Sequence, residues 1–152
     1  MQPSDWIESI SHTIDAHGHS GGLLIVLPEY RPDQCLALAH RLQMPSFDYR
    51  TEVMSAHGWD ADRIMLDDLN TTLAELASQG ACLVNNVEAL LSTKDANACG
   101  QWLQAFVETD WHSALLVPIV INAERVPQGH DRVVRVMPEQ LSEQSFISRL
   151  AL

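Results

Sequence analysis

Five aliphatic residues in a row, Leu23, Leu24, Ile25, Val26 and Leu27, stand between a breaker (His17, Gly18, His19, Ser20, Gly21, Gly22) and the turn-forming Pro28. A strand without polar alternate positions is one buried on both faces, so this segment demands covering layers above and below. The rest of the chain supplies them. Trp6, Ile7, Ile10 and Ile14 share one face of a helix that Ser4 can cap. Pro32 suits the first turn of a second helix, with Leu36, Ala39 and Leu42 on one side and Cys35 and Leu38 alongside. Ser46 to Tyr49 reads as a short second strand and His57 to Asp60 as a polar surface loop. Leu66, Leu69, Leu73 and Leu76 then keep a helical period up to Gly80. Ala81 to Val84 is a third strand ending at Asn85, and Trp102, Leu103, Phe106 and Val107 mark another helix. Ala114 to Ile121 is a fourth strand, in which Pro118 warns of a bulge or an early end. Arg132 to Met137 is a fifth, and Pro138 opens a last helix with Leu141, Phe146, Ile147 and Leu150 inside. Strands separated by helices imply right-handed crossovers. The expected fold is α/β: a three-layer αβα sandwich around a mostly parallel five-stranded sheet. It forms a single domain over residues 1–152, of which 1–20 are an N-terminal helix and loop.

Composition narrows the function classes. With 46% hydrophobic and 19% charged residues, the chain is no disordered solvating segment. No apolar run approaches the ~20 residues a membrane span needs, and the acidic start (Asp5, Glu8, Asp15) gives no signal-peptide pattern. Cys35, Cys82 and Cys99 are an odd, sparse set in apolar contexts, which predicts buried thiols and a cytoplasmic location. The net charge is −11, and Lys94 is the only lysine beside eight arginines. Such a field repels phosphate and anionic lipid, so neither direct nucleic-acid binding nor membrane binding is expected. A protein partner with a basic face is easier to accommodate; acidity serving solubility alone is the other reading.

Ligands of such sheets bind beyond the carboxyl ends of the strands, here after Leu27, Tyr49, Val84 and Ile121. Leu38, Ala39, His40, Arg41 and Leu42 end the second helix in an LAxRL-like pattern. Phe47 to Arg50, Leu83 to Glu88 and Leu115 to Asn122 follow as a second strand, an acidic strand-end motif and a strand ending in a polar residue. In this order of segments the chain resembles a P-loop NTPase core of the AAA-like kind, notably the small P-loop ATPase of BREX-type phage-defence operons, over about residues 20–140. The resemblance implies a P-loop NTPase-like fold, with Arg31, Asn85, Glu88 and Asn122 at the positions of a nucleotide site.

The departures decide what that site can do. A phosphate loop needs G-x-x-x-x-G-K-[ST], so that backbone N–H groups, a lysine and a hydroxyl converge on phosphate and Mg²⁺. The matching stretch, Leu27 to Cys35, has no glycine, lysine, serine or threonine; two prolines remove donors, and Glu29 and Asp33 oppose an anion. Asn85 stands where a Mg²⁺-supporting aspartate is needed, and an amide lacks the charge a hard cation prefers. Without NTPase ancestry, Asn85 reads as a helix cap before Val87. The expected function is therefore a non-catalytic pseudo-NTPase without cofactor, acting as a protein-binding or regulatory subunit. The resemblance implies a bacterial antiviral defence or DNA-processing complex, in which the partner is an active ATPase or another subunit. A division-inhibitor-like binder of the SulA type is a related alternative. Partner-binding candidates are Trp59 and Trp111, read as exposed, with Arg31, Arg125 and Arg132. Trp59 roofing the core from its loop is the other reading.

The rival class is a nucleotide-dependent hydrolase with an atypical phosphate loop, using Arg31 on phosphate, Glu88 as base and Asn122 to orient water. A third is a metal sensor on His12, His17 and His19, against which the glycine-rich loop and the lack of a nearby thiol count. Asp67 and Asp68 fit a helix cap, because a phosphate receiver needs acids at other strand ends and a later lysine. Cys35 lacks a histidine base close in sequence and reads as a small buried hydrophobe.

Overall fold

The computed structural model describes residues 6–141. The Ser4 cap and the expected inward positions of Phe146, Ile147 and Leu150 lie outside that range. In chain order the elements are α1 (Trp6–Ala16), β1 (Gly22–Val26), α2 (Pro32–Arg41) and β2 (Ser46–Asp48). A π-helical turn (Arg50–Met54), α3 (Ser55–His57) and a 3-10 stretch (Gly58–Arg63) follow. Then come α4 (Leu66–Gln79), β3 (Cys82–Asn85), α5 (Val87–Leu91), α6 (Ala96–Glu108), β4 (Leu115–Ile119), a 3-10 turn (Ala123–Arg125) and β5 (Val133–Arg135).

All four strand pairings are parallel, in the order β2-β3-β4-β1-β5. Alternate side chains along each strand feed two separate cores. Leu24 and Val26 of β1, Cys82 and Val84 of β3 and Leu115, Val117 and Ile119 of β4 pack with Leu69, Leu73, Trp102, Leu103 and Phe106 of α4 and α6. Leu23, Ile25, Leu83 and Leu116 point the other way, onto Trp6, Ile7 and Ile10 of α1 and Cys35, Leu38 and Ala39 of α2. The sheet is the middle layer of an αβα sandwich with a P-loop NTPase-like architecture. No described helix is long and apolar enough to cross a membrane.

Three local expectations are corrected. Leu36 does not face the core: α2 buries Gln34, Cys35, Leu38 and Ala39, and Leu36 is 59% exposed on the side nearer the strand ends. His57 to Asp60, expected as a loop, lie within a helical segment over residues 50–63, which the Asp48 carboxylate starts directly at the end of β2 by receiving the Arg50 and Thr51 amides. Strand β4 is shorter than its apolar run. Its pairing with β3 stops at Leu83 opposite Leu116, while its pairing with β1 continues to Ile119. The Leu115 amide donates toward β1, so by alternation Pro118 turns its donor-less nitrogen to the side where pairing has already ended.

Candidate functional site at the carboxyl ends of the strands

Because β4 lies between β1 and β3, the segments leaving all three meet at one edge of the sheet. They surround a cavity of about 470 Å³ lined by Leu27, Tyr30, Arg31, Leu36 and Pro32 on one side. Asp48, Arg50, Asn85, Glu88 and Ile121 are among the residues that close the other. Its size is within the ~300–1,000 Å³ of ordinary ligand clefts.

Glu88 holds the far wall. The chain leaves β3 through Asn86 in the left-handed region (φ 63°), a conformation asparagine tolerates, and turns directly into α5. Asn86, not Asn85, is thus the residue at the helix cap, and its amide donates to Asp48 Oδ1 at 2.9 Å. The tight turn places Glu88, 8% exposed, against the end of β4. Its Oε1 accepts the Val120 and Ile121 amides at 2.6 and 3.2 Å; Oε2 accepts the Asn122 amide at 2.7 Å and its side-chain Nδ2 at 2.9 Å. Arg125 donates to Asn122 Oδ1 at 3.1 Å and completes the network. Each carboxylate oxygen therefore takes two donors, which compensates its burial and fills its acceptor sites.

The opposite wall is equally committed. Arg31 makes two parallel bonds to Asp33, Nε to Oδ1 at 3.0 Å and Nη2 to Oδ2 at 2.8 Å. The Asp33 carboxylate raises the Arg31 pKa, and the guanidinium holds the Asp33 carboxyl below the ordinary aspartate range. Backbone donors at the start of α2 are used as well. Pro32 has none, and the Gln34 and Cys35 amides go to the Arg31 carbonyl at 3.1 and 3.2 Å. An anion arriving there meets a carboxylate instead of free N–H groups. Burial, reinforced by Asp33, pushes the Cys35 thiol up to about 12, so it is an inert wall group.

The remaining sequence candidates fall in different places. Trp111 is corrected from exposed to buried: it is 7% exposed, its indole N–H donates to the Phe106 carbonyl at 3.0 Å, and its ring packs on Phe106. Arg132 is tied at the opposite end of the sheet, where Nη1 donates to the Ser20 carbonyl at 3.0 Å. Trp59 is fully exposed on the 3-10 stretch, which excludes its roofing the core. His12, His17 and His19 approach Glu8, Asp131 and Asp15 respectively, and no metal-binding trio forms among the described residues. Asp68 accepts the Met65 amide at 3.0 Å and caps α4, as its position predicts. Lys94 is occupied with the Asp62 and Ile64 carbonyls at 3.0 and 2.6 Å, buckling the 3-10 stretch to the α5–α6 link.

Sequence reasoning passed over Tyr30, Leu36, Asp48, Arg50 and Ile121. The signal for Asp48 and Arg50 was their position at the end of the second strand. Tyr30 and Ile121 carried the same signal at the ends of the first and fourth strands, but their exposure, like that of Leu36, is decided by helix phase and loop path. Comparisons with protein-family models, curated proteins and solved structures find no match to this chain.

Proposed function

We propose that this chain is a non-catalytic, protein-binding subunit on a P-loop NTPase-like core, a pseudo-NTPase whose strand-end cavity serves recognition instead of hydrolysis. The observation that carries this reading is the saturation of Glu88: four donors from the end of β4 occupy the carboxylate that the family resemblance puts in the place of the base. The bidentate Arg31–Asp33 pair supports it, because the cation nearest the missing phosphate loop already has its anion. The rim points to a protein partner. Tyr30, Leu36 and Ile121 are 65%, 59% and 73% exposed around a single cavity, a grouping of apolar side chains that an interface can use. On the family resemblance, the partner would be another subunit of a multi-protein defence or DNA-processing complex.

Thermal melts with millimolar ATP and Mg²⁺ test the nucleotide half. No shift is expected, whereas a ligand at ~100 times its Kd would add about 2.7 kcal/mol. A clear ATP-dependent rise would return the hydrolase reading. Affinity capture from the native host, with wild type against Ile121→Ser, tests the partner half: a protein retained by the first and lost by the second is expected.

A further inference from the structure

Resting on that partner-binding reading, we propose that the strand-end cavity docks a partner segment that presents an arginine or lysine beside an apolar side chain. The hydrogen-bond geometry of Asp48 is the starting point. The Arg50 and Thr51 amides and the Asn86 side chain all end on Oδ1, at 3.0, 3.2 and 2.9 Å. Oδ2 takes none of these three bonds; the Thr51 side chain also acts on this carboxylate and can claim one of the two Oδ2 acceptor sites, which leaves the other for a ligand of the cavity that Asp48 lines. Burial pushes the Asp48 carboxyl up, but hydrogen bonds from Asn86, Thr51 and Arg50 outweigh this and hold it below the ordinary aspartate range. It is an anchored anion at neutral pH.

Two of the other charged groups nearby are already committed. Glu88 is saturated and Arg31 is neutralised by Asp33. Glu29 is exposed next to Tyr30 and adds negative charge, and the whole chain carries −11. Arg50, exposed on the cavity wall, is the opposing charge. The walls complete the match. Leu36 and Ile121 can cover the aliphatic stem and its apolar neighbour, and the exposed Tyr30 ring offers a cation a π-face.

A capped pentapeptide with arginine between two leucines, and its counterparts with methionine or glutamate at the centre, would be titrated into the full chain by amide NMR. The arginine peptide is expected to move the Asn85, Val120 and Ile121 signals and to bind about tenfold more tightly than the methionine peptide, with glutamate weakest. Asp48→Asn, which retains an oxygen for the Oδ1 bonds, should narrow that preference to about threefold or less, and Arg50→Gln should tighten the arginine peptide severalfold. Should Asp48→Asn melt early, Arg50→Gln and Leu36→Ser carry the test, the latter weakening binding. Equal affinities, or glutamate binding best with Arg50→Gln weakening it, would overturn the basic specificity and leave protein docking standing. No peptide binding at all would overturn the cavity as a docking site while leaving the ATP result unaffected.

Discussion

At the amino ends of its strands the sheet is closed. Gly21 donates to the Trp111 carbonyl at 3.0 Å, Leu115 donates to the Gly21 carbonyl at 3.1 Å, and the Arg132 guanidinium lies across them on the Ser20 carbonyl. Gly21 has φ 85°, and a Cβ there would fall on that guanidinium, so only glycine permits the approach. At the carboxyl ends a cavity opens, and carboxylates tie the segments around it: Glu88 binds the end of β4 to α5, and Asp48 binds the end of β2 to the turn after β3. One end is sealed by backbone contact, and at the other side-chain acceptors join the segments around a cavity. The contrast teaches that the two ends of a parallel sheet satisfy their backbone donors differently, largely by neighbouring carbonyls at one and by buried carboxylates at the other.

Breaking the closed end should have the largest effect. Gly22→Val would bring Cβ within 2.6 Å of the Phe106 ring and 2.9 Å of its carbonyl oxygen, so a loss of about 3 kcal/mol or more is expected in urea unfolding. A stable variant would show that the α6 packing yields. Next comes the open end. Glu88→Ala orphans three backbone amides and the Asn122 amide, and about 2–3 kcal/mol should be lost. Hydrogen exchange should rise at residues 120–122 while residues 21 and 115 stay protected; a uniform rise would erase the distinction between the ends.

A smaller effect separates the two by pH. Asp48 has a depressed folded pKa, so its contribution is fully present above its unfolded value of about 4 and is lost as pH falls through the folded value. Asp48→Asn should therefore flatten the acid limb of the melting-temperature profile below about pH 4, and an unchanged limb would count against the anchored carboxylate. Smallest is Tyr49→Phe. The Tyr49 hydroxyl is buried without a hydrogen-bond partner among the described residues, so its removal should be neutral or stabilise by up to about 1 kcal/mol in the same urea assay. A loss above that would reveal a partner for the hydroxyl.

Much of the fold was legible because period and punctuation are local. The run Leu23–Leu27 announced a doubly covered strand, Pro32 began α2, and Gly80 ended α4. Buried, unpaired thiols were also readable from their apolar contexts. The site was legible only as a set of strand ends. Trp111 was misplaced because an aromatic between polar neighbours looks exposed; its indole instead reaches a carbonyl five residues back, a contact created by α6 meeting β4. Leu36 was misplaced for a related reason, since α2 has apolar residues on more than one side and packing selects which side turns inward.

By itself the sequence determined the layer architecture and the poverty of the Leu27–Cys35 segment in glycine, lysine and hydroxyl groups, because burial periodicity and side-chain chemistry belong to neighbouring residues. Only the tertiary structure decided the strand order that brings Asp48, Glu88 and Ile121 around one cavity, and which of those groups retain bonding capacity. Hydrogen bonds such as Glu88 to Asn122 span 34 positions of chain, and a donor's partner at that separation is chosen by packing, not by local pattern.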